Sequence, residues 1–274
     1  MVVKKNPFDL GYYQSNELKK FGFKKVGINV KIAKNCTIVG LNNISLGNHI
    51  RIDSNVVIAA NKGHLELSNY IHIGVGCYLS CEGGLTLSNF SGLSQGIHIY
   101  SSSGDFSGKS LNHPTVPKKY QVMKLAPVFL REHVIIGTGS VIFPGVTIGK
   151  GSSVGALSLV SVSLDEWGVY FGVPVRKINI RSKKILTLEK DFIKSKISCI
   201  FLFSFLYYVE LTTKELFMVR ISKQEERRHR FPRKHRQPSK KTGPLVDHLP
   251  NGFKNHANTI EGDLAQTLFI PKIK

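Results

Sequence analysis

The apolar pattern of residues 136–160 has a period of six and reads as the consecutive units IGTGSV, IFPGVT, IGKGSS and VGALSL. Each unit opens on an aliphatic residue and has a small residue or Val four places later. A helix would give a period of 3.6 and a simple strand a period of 2. A period of six instead predicts an all-β solenoid, in which each flat face of a coil takes one hexad before the chain turns.

The same period extends towards the start of the chain. Steps of six separate most aliphatic openers, and a longer step at every third position predicts triangular coils with one looser corner. About six coils are accounted for, and their stacked openers are expected to build a continuous apolar prism. The earlier openers are Ile32, Ile38, Leu46, Ile52, Ile58, Leu67, Ile73, Leu79, Leu87, Leu93, Ile99 and Leu130.

The period is broken between Ile99 and Leu130, where 31 residues replace a step of six. This length predicts a loop that protrudes from the coil, and long loops in compact domains are usually functional or disordered. The chemistry-bearing side chains within it, such as Asp105, His113 and Tyr120, favour a functional loop. Asp105 and Tyr120 are our candidates for binding the acceptor substrate.

Segments on both sides of the solenoid are predicted to be helical. Residues 15–23 have Ser15 as a capping residue and predict a short amphipathic helix over the open end of the prism. Residues 180–194 have apolar side chains at helical spacing and are expected to pack on the solenoid or on a neighbouring subunit. The predicted organisation is a capping segment at 1–25, a solenoid at 26–179 with a loop at 100–129, a helical segment at 180–219 and a basic, disordered tail at 220–274.

Two parts of the chain resemble a known family. They are the run IIGTGSVIFPGVTIGKGSSVGALSLV and the closing WGVYFGVPVRKI, in which Gly172, Pro174, Arg176 and Ile178 match the family's exit pattern. Over residues 26–190 the chain is similar to the hexapeptide-repeat acyltransferases, whose fold is a left-handed parallel β-helix. Within this family it most resembles sugar O-acetyltransferases of the galactoside, maltose and polysaccharide-modifying kind. The resemblance implies acetyl transfer from acetyl-CoA to a sugar acceptor by a homotrimer with active sites between subunits.

The loop carries our leading candidate for the catalytic base. Acetyl transfer from a thioester to an alcohol needs a base to take the hydroxyl proton. In the family this base is a His in a His-Pro-x-x-Pro stretch, and His113, Pro114 and Pro117 match that spacing. His113 departs from the family pattern because it lies fourteen residues after Ile99, which is later than usual.

Other histidines stay open as the base. His98 and His133 fall on outward positions on the two sides of the loop, and His72 and His49 are weaker candidates. His113 could also be an ordinary loop histidine. If the acceptor is an amine, a protein base is unnecessary, because an uncharged amine is already nucleophilic.

The resemblance also implies where the co-substrate acetyl-CoA would bind. Backbone amides of two glycine-bearing coils are expected to line the pantetheine arm, although coil geometry alone also requires these glycines. A basic pair at the end of the coil suits the CoA phosphates, with solvated surface charge as the alternative. The cofactor-binding candidates are Gly137, Ser140, Gly155, Ala156, Arg176 and Lys177.

The last part of the chain has a different character. Residues 197–209, ISCIFLFSFLYYV, are thirteen residues of nearly unbroken apolar side chains, fewer than the roughly 20 that span a bilayer. They favour a buried helix or one that lies at a membrane surface. From residue 220 the tail holds 13 Lys and Arg against 5 acids, within a chain of net charge +20. A solvated tail is the usual explanation of such a run, and nucleic acid is not an expected partner.

Composition indicates the compartment. The first residues lack the apolar stretch of a secretory signal, and four cysteines do not form a disulfide scaffold. Cytoplasmic, reduced thiols fit best, with the inner membrane face as an alternative location. The cysteines also lack partners at metal-ligand spacing, so no metal is expected.

Three functions follow from these observations. The preferred one is an acetyl-CoA-dependent O-acetyltransferase acting on a sugar hydroxyl, of the cell-surface polysaccharide type. The alternatives are an N-acetyltransferase acting on an amino sugar nucleotide, and a non-catalytic β-helix scaffold. The sequence leaves the identity of the acceptor open.

Overall fold

The protein forms a left-handed parallel β-helix, described here from a computed structural model over residues 6–196. Short strands stack into three parallel sheets, which make the three faces of a triangular prism of about seven turns. This confirms the fold predicted from the hexads. The predicted basic tail, the apolar run at 197–209 and the first five residues lie outside the described residues.

The strands are two to five residues long, as expected when each hexad gives one flat segment and one turn. In chain order they are β1 (Tyr12–Gln14), β2 (Lys25–Val26), β3 (Val30–Ala33), β4 (Thr37–Val39), β5 (Ile44–Leu46), β6 (Ile50–Ile52), β7 (Val57–Ala59), β8 (Leu65–Leu67), β9 (Ile71–Ile73), β10 (Tyr78–Ser80), β11 (Leu85–Leu87), β12 (Gly92–Leu93), β13 (His98–Tyr100), β14 (Ser102–Gly104), β15 (Met123–Leu125), β16 (Val128–Leu130), β17 (Ile135–Ile136), β18 (Val141–Ile142), β19 (Thr147–Ile148), β20 (Ser153–Val154), β21 (Leu159–Val160), β22 (Gly168–Phe171) and β23 (Arg176–Ile180). Within the solenoid the helices are α1 (Ser15–Leu18) and two 3-10 turns at Leu41–Asn43 and Lys118–Tyr120, and residues 184–196 form a further helix.

The three faces are named by the order in which each coil visits them. Face 1 contains β3, β6, β9, β12, β17, β20 and β22, and the antiparallel strands β1 and β23 extend it at its two ends. Face 2 contains β4, β7, β10, β13, β18 and β21, and face 3 contains β2, β5, β8, β11, β16 and β19. Strands β14 and β15 form a separate antiparallel pair.

The predicted openers form the core. All of those between residues 32 and 160 are at most 3% exposed, except Ile38, which is partly buried. They stack in register from coil to coil, and Ile52, for example, pairs with Ile32 below it and Ile73 above it. Because burying one such side chain contributes about 1.5–3 kcal/mol, these columns are the main source of stability.

The looser corner lies between faces 2 and 3. Residues 60–64 connect β7 to β8 at this corner, whereas residues 68–70 suffice to connect β8 to β9. The protruding loop, residues 101–127 between β13 and β16, leaves from the same corner. The long insertion therefore expands a connection that is already lengthened in the coil of β6 to β8, and the stacking of the faces is preserved.

The amino-terminal cap differs from its prediction. Helix α1 has only the four residues Ser15–Leu18, not the nine at 15–23. Its N-cap is Gln14, whose backbone N–H donates to the Glu17 carboxylate at 2.9 Å, whereas the Ser15 hydroxyl accepts from Val30. A helix this short does not offset its own nucleation cost, so tertiary packing of the fully buried Leu18 stabilises it.

At the other end an antiparallel strand closes the solenoid. Strand β23 runs to Ile180, which pairs with Gly168 of β22. A second unit of the chain begins at Lys184, and within it residues 184–196 are helical, as the spacing of its apolar residues predicts. Within residues 6–196 no helix has the length and apolar character needed to cross a bilayer.

Candidate active site

The protruding loop is fixed to the coil at its base. The buried Ser101 hydroxyl donates to the Ser80 carbonyl at 2.7 Å and accepts from the Gly83 N–H at 2.9 Å. The Ala126 N–H donates to the Ser101 carbonyl, so both ends of the loop meet at one residue. Beyond this point β14 and β15 pair as an antiparallel ribbon. The loop is therefore an ordered excursion, as the functional interpretation of the sequence requires.

Asp105 follows the end of β14 and lies in a tight turn. Its Oδ1 accepts from the backbone N–H of Ser107 at 2.8 Å and from the Ser107 hydroxyl at 2.6 Å. Its Oδ2 accepts from the Ser110 hydroxyl at 3.2 Å. These hydrogen bonds, those from Ser107 first, lower the pKa of Asp105 to about 2. The loop thus presents a carboxylate that is ionised at every physiological pH.

A cavity of about 360 Å³ opens next to Asp105 within the same loop. Lys109, Ser110, Lys119 and Tyr120 provide its polar wall. The Leu111 N–H donates to the Tyr120 carbonyl at 2.9 Å, which joins the two arms of the loop at the cavity. The Lys119 Nζ lies 4.9 Å from the centre of the Tyr120 ring. Of the two acceptor candidates, Tyr120 lines the cavity, and Asp105 is hydrogen-bonded to Ser110, which also lines it.

His113 lies on an exposed part of the loop. The Gln121 side-chain amide donates to the backbone carbonyls of His113 and Val116, and the Val116 N–H also donates to the His113 carbonyl. The backbone of the His-Pro-x-x-Pro stretch is thereby held in place while the imidazole faces outwards. The assignment of His113 as the base stays a prediction.

His98 lies on face 2, directly before the loop. Its outward ring is half-buried, with ring centres 6.1 Å from Tyr78 and 6.3 Å from Tyr100. The Ser80 and Ser102 hydroxyls are 3.2 Å apart, which connects this aromatic group to the first strand of the loop. Of the alternative bases, His98 is the one that shares a surface with the base of the loop.

His133 has a packing position. It belongs to a column of corner residues with positive φ, which stack their rings in the order His49, Tyr70, Phe90 and His133. The centres of the Phe90 and His133 rings are 5.2 Å apart, and His133 is only 7% exposed. Because ring stacking and burial restrict its access to a substrate, the structure favours a structural role for this residue, and the same holds for His49.

His72 belongs to a hydrogen-bonded cluster that the sequence analysis did not predict. Its Nε2 lies 2.8 Å from Oδ2 of Asp53, whose Oδ1 accepts from Arg51 Nε at 2.6 Å and from the Tyr12 hydroxyl at 2.9 Å. Burial alone would raise the pKa of Asp53, but the hydrogen bonds from His72, Arg51 and Tyr12 together lower it. This Asp53 cluster lies on face 1, opposite the corner from which the loop of the same chain leaves.

The amides predicted to bind pantetheine already have acceptors. The Gly137 and Gly155 N–H groups donate to Val154 and Tyr170, and the Ser140 hydroxyl is buried and donates to Gly155. An added Cβ on Gly137 would collide with the backbone of Ala156. These hydrogen bonds explain the glycine and serine positions by coil stacking, and they leave the exposed surface of Ala156 as the part open to a ligand.

Arg176 and Lys177 lie on β23, all five residues of which are exposed. They pair with Phe171 and Tyr170 of β22 at the carboxyl end of the solenoid. Their predicted contact with CoA phosphates stays a prediction. Within residues 6–196 no group of three or more His, Cys, Asp and Glu side chains could hold a metal ion.

Comparison with known proteins gives the class of this arrangement. No family model matches the chain. A dTDP-4-amino-4,6-dideoxy-D-glucose acyltransferase of Escherichia coli is 39% identical over 188 residues, which cover 69% of this chain and 98% of that protein. A galactoside O-acetyltransferase of Lactococcus lactis is 33% identical over 114 residues, covering 40% of this chain and 54% of that protein.

Solved structures give the same class. AntD, an N-acyltransferase from Bacillus cereus crystallised with dTDP and 3-hydroxybutyryl-CoA, is 43% identical and has a TM-score of 0.65, with 68% of this chain and 98% of AntD covered. A variant of AntD crystallised with dTDP-4-amino-4,6-dideoxyglucose and coenzyme A is 42% identical, has a TM-score of 0.64 and gives the same coverage. The chain therefore belongs to the hexapeptide-repeat sugar acyltransferases.

Proposed function

We propose that this protein transfers an acyl group from acyl-CoA to the amino group of a nucleotide-linked amino sugar. The observation that carries the proposal is the agreement of two comparisons: a dTDP-amino-sugar acyltransferase and the N-acyltransferase AntD each match over 98% of their own length. The galactoside O-acetyltransferase matches over only 54% of its length. The comparisons thus favour the amine acceptor, which the sequence offered as the alternative, over the sugar hydroxyl that it placed first.

The loop supports an amine acceptor. In the reaction the bound ammonium group first releases a proton to water. The uncharged amine nitrogen then attacks the thioester carbonyl, a C–N bond forms, and the C–S bond of the tetrahedral intermediate breaks. The nitrogen loses a proton and the sulfur leaves as the CoA thiol. Asp105 is suited to bind and orient the amino group, because its carboxylate is ionised, is partly exposed and is held in an ordered turn. With a pKa of about 2, the same carboxylate is a poor acceptor for a hydroxyl proton.

If the acceptor is an amine, His113 is not required as a catalytic base. A hydroxyl acceptor needs a positioned base, whereas an uncharged amine does not. His113→Ala is therefore expected to leave amide formation within about threefold of the wild type, far from the 100-fold or larger loss typical of a removed general base. Asp105→Asn keeps the shape of the side chain and should raise KM for the amino sugar.

The direct test uses a matched pair of acceptors. Purified full-length protein is incubated with dTDP-4-amino-4,6-dideoxyglucose or with its 4-hydroxy analogue, and with acetyl-CoA or 3-hydroxybutyryl-CoA as donor. Thiol release and the mass of the product are measured. Amide formation with the amine alone supports the proposal. Ester formation on the hydroxyl analogue that is lost in His113→Ala would contradict the proposal and support the O-acetyltransferase interpretation. Folded protein that binds no acyl-CoA and forms neither product would support the scaffold.

The predicted homotrimer follows from the family resemblance and stays a prediction. Sedimentation equilibrium of the purified chain measures it directly. A contact with a membrane surface, predicted from residues 197–209, lies outside the described residues.

A further inference from the structure

We infer that the cavity in the protruding loop binds the diphosphate of the nucleotide-linked acceptor, with Lys109 and Lys119 as its cationic groups. This inference rests on the proposed function, which supplies an acceptor carrying both a diphosphate and an amine. It adds a binding site for the part of the acceptor that does not react, and it assigns that site to one chain's own loop.

The shape and charge of the cavity suit a phosphate group. Two lysines line a space of about 360 Å³, together with the Ser110 hydroxyl and the Tyr120 ring, and Leu111 and Val122 form its apolar side. Within residues 6–196 the side chains that line it include no acid, so the two positive charges are not neutralised inside the cavity. A diphosphate offers several anionic oxygens to the two lysine ammonium groups, which form strong charge-assisted hydrogen bonds with it.

The cavity is also built to keep its shape. The 3-10 turn Lys118–Tyr120 positions Lys119, and the hydrogen bond from the Leu111 N–H to the Tyr120 carbonyl fixes the opposite arm, which carries Lys109. The side chain of Gln121, the next residue, donates to the carbonyls of His113 and Val116. Ordering before binding lowers the entropy that a ligand must offset.

The neighbouring carboxylate decides between two sources of the diphosphate. Acyl-CoA also contains a diphosphate, so charge alone does not separate donor from acceptor. Ser110 lines the cavity and its hydroxyl donates to Asp105, which places a fixed negative charge at the edge of the cavity that carries the two lysines. An amino sugar nucleotide has this charge pattern, an anionic diphosphate followed by a cationic amine. A CoA diphosphate brings no amine of this kind and adds a further phosphate that Asp105 would repel.

The test measures equilibrium binding, which does not depend on turnover. Lys109 and Lys119 are both changed to Gln in the full chain, and dissociation constants are measured by calorimetry for dTDP, thymidine, inorganic pyrophosphate and CoA. Lys118→Gln with Lys124→Gln is the matched control, because it removes the same charge from the same loop at residues outside the cavity. Thermal midpoints confirm that both double variants are folded.

We expect the cavity variant to bind dTDP at least about tenfold more weakly than the wild type, since tenfold corresponds to about one charge-assisted contact. The affinity for pyrophosphate should fall in parallel, while the affinities for thymidine and CoA should stay within twofold of the wild type. The control variant should keep all four affinities. The affinity of the cavity variant for dTDP should also fall less steeply with added salt than that of the wild type.

Three results would overturn the inference: unchanged dTDP affinity in the cavity variant, an equal loss in the control pair, or a selective loss for CoA. The last would assign the cavity to the donor. Failure of the proposed function is a separate result, because a wild-type protein that binds dTDP through these lysines but acylates no amine would leave this inference standing.

Discussion

Replacing Asp53 by Asn tests whether the Asp53 cluster holds the amino-terminal strand onto the solenoid. Asp53 is 8% exposed and accepts hydrogen bonds from Arg51, His72 and Tyr12, the last of which lies on β1. Asn has a similar shape but presents an N–H₂ group where a carboxylate oxygen accepted a donor. The amide oxygen can still accept from Arg51 and Tyr12, but these hydrogen bonds lose the carboxylate charge, and His72 must present an unprotonated Nε2 to the new N–H₂ group.

The magnitude follows from the exposure of the partners. A hydrogen bond to a charged group contributes about 1.5–3 kcal/mol, and the upper value applies when the abandoned partner stays buried. The side chains of Arg51 and His72 are 59% and 53% exposed, so both can turn to water. We therefore expect a loss of about 1.5 kcal/mol in the free energy of unfolding, which lowers Tm by roughly 3–6 °C in a domain of this size.

The effect of pH has a definite sign. The pKa of Asp53 is lower in the folded protein than its ordinary value of 3.8. Such a carboxylate stabilises the fold fully above its unfolded pKa, and this stabilisation is lost as the pH falls through the folded pKa. The difference in stability between the wild type and Asp53→Asn should thus be constant near neutral pH and shrink below about pH 4.

The assay is thermal and urea unfolding at equal protein concentration, from pH 7 down to pH 3.5, with hydrogen exchange of β1 as a local readout. Glu66→Gln is the matched control, because this side chain is exposed on β8 of face 3 and its replacement should leave Tm unchanged. Equal Tm values for wild type and Asp53→Asn at neutral pH, or a difference that grows on acidification, would refute the reasoning.

Three further predictions concern packing and the loop. Gly137→Ala should lower stability by about 1–3 kcal/mol in urea unfolding, because its Cβ meets the Ala156 backbone; an unchanged midpoint would mean that the coils separate easily. Gly104→Ala displaces the Asn112 side chain from the loop and should reduce acyl transfer while Tm stays within 2 °C, roughly the shift for a fraction of a kcal/mol. The pKa of the Cys81 thiol is raised by burial to about 12, so maleimide should label it only after unfolding, and peptide mass spectrometry of the native protein should find it unmodified.

The repeat made the core predictable from the sequence, because each opener must stack on the opener of the next coil. The same register contained a signal that was not used. Once Ile52 and Ile73 stack, the residues before them, Arg51 and His72, must also be neighbours on the outer surface of face 1. The Asp53 cluster joins residues up to 41 apart in sequence, and it could have been predicted by extending the register to outward positions.

The interior of the loop could not be predicted in this way. Its form depends on single hydrogen bonds, such as those from Ser107 and Ser110 to Asp105, which no period reports. The amino-terminal helix was predicted too long for a related reason. Its apolar spacing continues to Phe21, but Gly22 has a φ of +91°, and Phe21 turns back to meet the edge of the Tyr13 ring. A tertiary contact therefore prevailed over helical spacing.

The position of the loop gives the fold its capacity for chemistry. Coil stacking uses the backbone hydrogen bonds of the three faces and fills the prism with aliphatic side chains, so little of a coil can change without loss of stability. The corner between faces 2 and 3 can change without this loss of stability, because its connections already vary in length from coil to coil. An insertion there can bring a carboxylate and two lysines together on a rigid support. Acceptor selection can then change through the loop, while the coils that stack below it stay the same.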